Sequence, residues 1–207
     1  MWSDLWSRLC HQGSVYSASF AALSKLADVG SKAGQAGDDA LILAGAIVAA
    51  ADGDTRRDHI DDIDRLRSLA RERIRRPAEP GPYIYLLQAA MALDNVPVWS
   101  EALEGLADET YEVFCPECEM GVFIAIGEAG YFSAVGDHEP GDPDVKPLRP
   151  AEPADLSGPA RLLYDAACEA GIASVMVALT HLFGTGTCGE CGAEFVVAEQ
   201  VAEHGGA

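Results

Sequence analysis

The stretch Thr110-Tyr-Glu-Val-Phe-Cys115-Pro-Glu-Cys118-Glu-Met-Gly-Val-Phe-Ile-Ala-Ile126 divides the chain in two. Its flanks are rich in β-branched and aromatic residues, which suit a pleated, half-buried surface. At its centre is a C-x2-C pair, and the same spacing returns in Cys188-Gly-Glu-Cys191. Each pair precedes an apolar strand-like run containing a phenylalanine, Phe123 or Phe195. A CxxC turn aims backbone N–H groups at its thiolates, and two such turns supply the four sulfurs of a tetrahedral site. Four thiolates select zinc or iron over magnesium or calcium. Zinc is therefore the expected metal and iron the runner-up, with Cys115, Cys118, Cys188 and Cys191 as ligands. A site closed by four protein ligands has no position for water, so it is expected to be structural.

Sixty-nine residues separate Cys118 from Cys188, against 15–20 in a compact ribbon. The ribbon must therefore hold a long insertion. A disulfide within each pair, a redox-active pair, or a metal shared between two chains are the alternatives. A thioredoxin-like role needs a CxxC at a helix N-terminus, and the strand-like sequence after each pair opposes it.

Further strands are expected over Met120–Ile126, Tyr131–Val135 and Glu194–Val197, the last followed by a polar, frayed tail. Residues 137–159 hold six of the 11 prolines and read as an exposed, mobile loop. Apolar periodicity predicts a helical hairpin over 159–183, interrupted at Gly171. Gly184-Thr-Gly-Thr187 reads as a flexible lead into the second cysteine pair.

Before Glu109 the periodicity is helical. Trp2, Leu5, Trp6 and Leu9 form one apolar stripe, expected to pack in the core. Phe20, Leu23, Leu26 and Ala27 form another, in a helix that Ser14 or Ser17 could cap. The apolar run Ala40–Ala51 is 12 residues long. It is too short to span a bilayer and reads as a buried helix opened by Asp38 or Asp39. A charged helix follows over about 58–76, with Ile60, Ile63, Leu66, Leu69, Ala70 and Ile74 inward. Shorter helices are expected at 82–93 and 98–107. The organisation is an N-terminal helical domain, 1–108, then a zinc-ribbon element (109–136 and 184–200). A Pro-rich loop (137–158) and the hairpin (159–183) interrupt that element. The fold class is mainly α: antiparallel helix pairs, as a short solenoid or irregular bundle, with a small β element.

The formal charge is −19, from 14 Lys+Arg against 33 Asp+Glu. Such a surface repels polyanions, which argues against nucleic-acid or anionic-membrane binding; it reads first as a solvated, solubilising acidic surface and second as suited to a basic partner. Eight of the 14 basic residues lie between Arg56 and Arg76. Acidic residues come first and arginines last, which complements a helix dipole. This reads as a surface helix first and a basic docking face second. No basic-then-apolar leader opens the chain, so a cytoplasmic protein is expected, and there cysteine pairs are more often metal ligands than disulfides.

Cys10 and Cys168 read as small buried hydrophobes. His11, His59, His138, His181 and His204 are scattered, and His181 reads as a hydrogen-bonded boundary residue. Asp38-Asp39 and Asp61-Asp62 read as helix caps. No phosphate-binding loop, dinucleotide fingerprint, nucleophile elbow or H-E-x-x-H helix is present, so no catalytic residue is assigned.

The N-terminal run Trp2-Ser-Asp-Leu-Trp6-Ser-Arg-Leu-Cys-His-Gln-Gly13-Ser-Val-Tyr-Ser-Ala-Ser-Phe-Ala-Ala-Leu resembles actinobacterial proteins described as HEAT-like or helical-repeat proteins, and the resemblance continues to the two Cys-x-x-Cys pairs. It implies a bacterial helical scaffold that binds other proteins. The expected function is non-enzymatic: a zinc-clipped scaffold for protein–protein interaction, in one version immunity- or antitoxin-like against a basic toxin. A redox-sensitive zinc switch and a zinc-ribbon nucleic-acid-associated protein are the alternatives.

Overall fold

The computed structural model describes residues 2–11, 14–15, 17–136 and 145–204, except for the side chains of residues 2–4, 8, 10, 11, 14 and 17. The expectations for Trp2, Cys10, His11, Ser14, Ser17 and His138, and for residues 137–144, lie outside that description. The described chain is mainly helical with a small antiparallel sheet. It forms two compact units: residues 1–78 with 85–101, and residues 79–84 with 102–207.

The first unit holds α1 (Trp2–Leu9), the short strands β1 (Cys10–His11) and β2 (Ser14–Val15), α2 (Ser17–Phe20), α3 (Leu23–Gly30), α4 (Gln35–Ala49), α5 (Gly53–Asp58) and α6 (Ile60–Arg73). It also takes most of α7 (Pro80–Leu93), whose first turn belongs to the second unit. The apolar run is, as expected, a buried helix. Leu41, Leu43, Ala44, Ile47 and Val48 of α4 are all fully buried. The apolar face of α3 is buried as well.

Three details differ from expectation. First, α4 begins a turn early, at a Gly34 whose φ of 88° only glycine adopts freely. Asp38 therefore lies inside the first turn and pairs with Arg73 instead of capping. Second, Ile60 is exposed and Leu69 only half-buried, so the inward stripe of α6 is narrower: Ile63, Leu66, Ala70 and Ile74. Third, Trp6 is 40% exposed, so the N-terminal stripe is not fully in the core.

Three arginines of the charged stretch, Arg56, Arg67 and Arg73, are half-buried and reach backbone carbonyls, while Arg57, Arg65, Arg71, Arg75 and Arg76 stay exposed. Arg56 donates to the carbonyls of Val48, Ala92 and Leu93, at the C-terminal ends of α4 and α7. Arg67 donates to Leu93 O, and Arg71 pairs with Asp94. Arg73 donates to Gly30 O and Lys32 O as well as to Asp38. Helix C-termini leave carbonyls unpaired and carry partial negative charge, and these guanidinium groups answer both needs.

In the second unit, β3 (Thr110–Phe114), β4 (Gly121–Gly127), β5 (Gly130–Val135) and β6 (Lys146–Pro147) form an antiparallel sheet in that order. The helices η1 (Val98–Ser100, in the first unit) and α8 (Glu104–Ala107) replace the single helix expected at 98–107. The hairpin α9 (Gly158–Ala170) and α10 (Ala173–Leu182) is as expected. It turns at Gly171, φ 73°, with Ile172 N–H closing on Ala167 O. Gly184-Thr-Gly-Thr187 is not a free lead: Thr185–Thr187 is β7, paired with β8 (Glu194–Val196). The tail is not frayed before His204. Val197–His204 is α11, with Val197, Ala198, Gln200 and Val201 buried.

Candidate metal centre

The two cysteine pairs occupy matching positions. Each forms a six-residue hairpin loop, residues 115–120 between Phe114↔Gly121 and residues 188–193 between Thr187↔Glu194. The internal hydrogen bonds repeat as well. Cys115 N–H donates to Met120 O and Cys188 N–H to Ala193 O, both at 2.8 Å. Glu119 N–H closes on Cys115 O, and Gly192 N–H on Cys188 O. The residue after the second cysteine is left-handed in both loops: Glu119 at φ 58° and Gly192 at φ 77°. Such a kink suits glycine at 192 and is tolerated by glutamate at 119 at a steric cost. The equivalence explains why one C-x2-C spacing serves two loops that otherwise share only the glutamates Glu117 and Glu190.

A segment within the Pro-rich region holds the two hairpins together. Residues 146–149 pair with β5 on one side, through Phe132↔Pro147 and Leu148 N–H to Tyr131 O. On the other side Arg149 exchanges two 2.9 Å backbone hydrogen bonds with Thr185. Ser133 Oγ adds a 2.7 Å bond to Thr187 O. The strap is a strand bridge where a mobile loop is expected. Proline lacks an N–H and can stand in a strand only at an edge, and a run dense in prolines carries no strand pattern. The approach also requires a glycine at 184: a Cβ there would lie 2.1 Å from Arg149 O.

The result gathers all four sulfurs. Cys115, Cys118, Cys188 and Cys191 place their Sγ atoms within 4.8 Å of one another. The separations across the loops are 3.6 Å for Cys115–Cys191 and 3.8 Å for Cys118–Cys188. Four thiolates about 2.3 Å from a central ion stand about 3.8 Å apart, so the cluster can hold a metal ion. A disulfide needs about 2.0 Å, and all four are free thiols. The first cysteine of each loop is buried and the second exposed.

The electrostatics call for a cation. Burial pushes the Cys115 thiol up, but N–H groups of Glu117 and Cys118 and the Cys118 and Cys191 thiols outweigh it and bring it to about 7. Met120 N–H favours the Cys118 thiolate, yet Cys191, burial, Cys115 and Cys188 push Cys118 up to about 12. Cys191 is also raised, against the favourable Ala193 N–H. One thiol ionises readily and its charge then holds protons on its neighbours. A positive ion among them removes that conflict.

The remaining residues singled out in the sequence lie elsewhere. His181 is a boundary residue, as expected: its Nδ1 is 2.8 Å from Val177 O and its ring stacks on Tyr131 at 4.0 Å. Cys168 is exposed on α9, contrary to the buried role expected for it. Asp61 and Asp62 sit in the first turn of α6, but His59 is its N-cap residue, so they act on the dipole and not as caps. His59 stacks on Phe20 instead. Two features had no signal in the sequence: the strap, and an aromatic cavity of about 520 Å³ beside the first knuckle. No described helix is long and apolar enough to cross a membrane.

Comparison with known proteins gives no family match, no similar curated protein and no similar solved structure.

Proposed function

We propose that this chain is a zinc-clipped, non-enzymatic scaffold of the cytoplasm that binds a basic protein partner. Four cysteine ligands fill a tetrahedral ion's coordination and leave it no open position, so the metal's work is to hold the hairpins in place. Thiolate-only ligation and prevalence favour zinc over iron. The hairpins then form a ribbon carrying a helical insertion, in a chain that also holds a scaffold of HEAT-like character.

One observation carries the interaction reading. Residues 102–207 hold only three basic residues, Lys146, Arg149 and Arg161, against 19 acidic ones. Two of the three are spent internally, Arg149 on Glu194 and Arg161 on Asp165. A surface of that sign accelerates association with a cationic protein and repels nucleic acid. The test is capture by the zinc-loaded chain from its own host at low salt, followed by a salt titration of each recovered complex. The expected result is a stoichiometric basic protein whose affinity falls steeply with ionic strength. Recovery of no protein, or only of salt-insensitive ones, overturns the reading.

A further inference from the structure

The outward face of the four-stranded sheet is aromatic beside the first knuckle. Pairing registers place Phe114, Phe123 and Phe132 on that face together with Glu112. Between them on the same face lie Ala125 and Ala134, both buried, while Phe114 remains 51% exposed. His204, at the end of α11, packs edge-on against Phe114 with ring centroids 5.1 Å apart. The cavity of about 520 Å³ is lined by Phe114, Phe123, Glu112 and His204, with Gly121 and Gly136 also in its wall.

The polar and aromatic groups of this lining share one preference. The Glu112 carboxylate accepts hydrogen bonds, and the aromatic rings present negative faces. His204 Nδ1 lies 2.9 Å from the Gln200 carbonyl, which can only accept. Nδ1 therefore carries the proton, and in the neutral ring Nε2 is left as an acceptor. Among the described residues, no lysine or arginine lines the cavity, and residues 102–207 have the 3-to-19 charge imbalance described above. An anion meets no cationic side chain among the described lining residues, and a neutral donor gains only a hydrogen bond to Glu112. A cation gains from the carboxylate, the rings and the net charge together.

We infer that this cavity receives the guanidinium head of an arginine side chain from a partner protein. A planar guanidinium can stack on phenylalanine and still pair with a carboxylate, which a compact ammonium does less well. The source is a polypeptide and not a free small cation because the apolar surface continues past the cavity. Met120, on the same hairpin, is 39% exposed, and a flanking chain segment can cover it. The inference rests on the interaction reading above and names where that interaction is anchored.

The test is an amide-resolved NMR titration of the metal-loaded full chain with a short Gly/Ser peptide bearing one arginine. A twin peptide with citrulline keeps the shape and removes the charge. The expected result is saturable shifts at Glu112, Phe114, Phe123 and His204 with the arginine peptide, at least about fivefold weaker with citrulline. Glu112→Gln, an exposed change that leaves the fold alone, should weaken the arginine peptide by a similar factor; Phe114→Ala should weaken it further. No saturable shift at these residues, or equal shifts with the two peptides, overturns the inference. If a captured basic protein binds Glu112→Gln and Phe114→Ala as tightly as the parent, the cavity assignment fails while the interaction reading stands. If no protein is captured, the interaction reading fails even where the peptide binds.

Discussion

Arg56 shows how a residue that looks like surface charge can act as a structural bolt. Its guanidinium reaches three carbonyls at the ends of two helices, at 3.0–3.3 Å. Burial lowers its pKa, and Arg67 nearby adds to the effect, yet an arginine stays charged under all ordinary conditions. Each hydrogen bond from a charged donor is worth about 1.5–3 kcal/mol net, and the carbonyls left behind add a desolvation cost. Arg56→Met keeps most of the stem's volume and removes the donors. It should destabilise the first unit by roughly 2–4 kcal/mol in urea unfolding, with metal content unchanged. A loss under about 0.5 kcal/mol would mean that water replaces the guanidinium without difficulty. In sequence, such an arginine cannot be told from its exposed neighbours, because its target carbonyls lie eight and about 36 residues away. The cysteines are the opposite case. Their chemistry is carried by a spacing of three, and a local spacing can be read directly.

Among the elements, α4 and α7 meet at the closest helix contact of the first unit that a glycine reports. A Cβ placed on Gly45 would lie 2.5 Å from both Cα and Cβ of Ala89. Gly45→Ala forces the two backbones apart and should cost about 1–3 kcal/mol, although alanine is the better helix former by about 1 kcal/mol. Ala89→Gly removes the opposing methyl. The double variant loses the methyl clash but keeps the 2.5 Å approach to Ala89 Cα, so its cost should fall only partly below the sum of the two single costs, a coupling that a thermodynamic cycle measures directly. A Gly45→Ala cost near zero would show that the helices are not in close contact at this point. The core helices were legible because their apolar period is local and strong: Leu41, Leu43, Ala44, Ile47 and Val48 are buried as read. Two elements were not. The strap at 146–149 has a single residue of strand character in its favour, Leu148, and gets its bonds from partners up to 36 residues away. The helix at 197–204 hides behind a polar surface, with Glu199, Glu203 and His204 masking a short buried face of Val197, Ala198 and Val201.

At the scale of the molecule, a metal held by the cysteine cluster, as proposed above, would decide how the second unit holds together. Its two hairpins are distant in sequence, and the connections between them include the strap, the Ser133–Thr187 hydrogen bond and the four sulfurs. The first two amount to a few backbone and side-chain bonds, each worth about 1 kcal/mol net. A structural zinc site contributes apparent binding free energies of about 10–16 kcal/mol, comparable to or larger than the whole stability of a typical domain at about 5–15 kcal/mol. Without metal, ionising Cys115 opposes ionising Cys118, whose thiol is pushed up by Cys191, Cys115 and Cys188. Metal removal should therefore act on this unit first. Purified chain should contain one zinc, and Cys118→Ser should lose it. Treatment with a strong chelator should collapse hydrogen-exchange protection in β3–β5, β7 and β8 while α4 and α6, whose buried contacts include no metal ligand, keep theirs. Added zinc should restore protection, and with excess free metal the melting temperature should climb with its logarithm, as mass action requires. Iron in place of zinc would change the metal and leave this argument intact. Full protection of both hairpins after chelation would overturn it, because the strap and the sheet would then be sufficient without the clip.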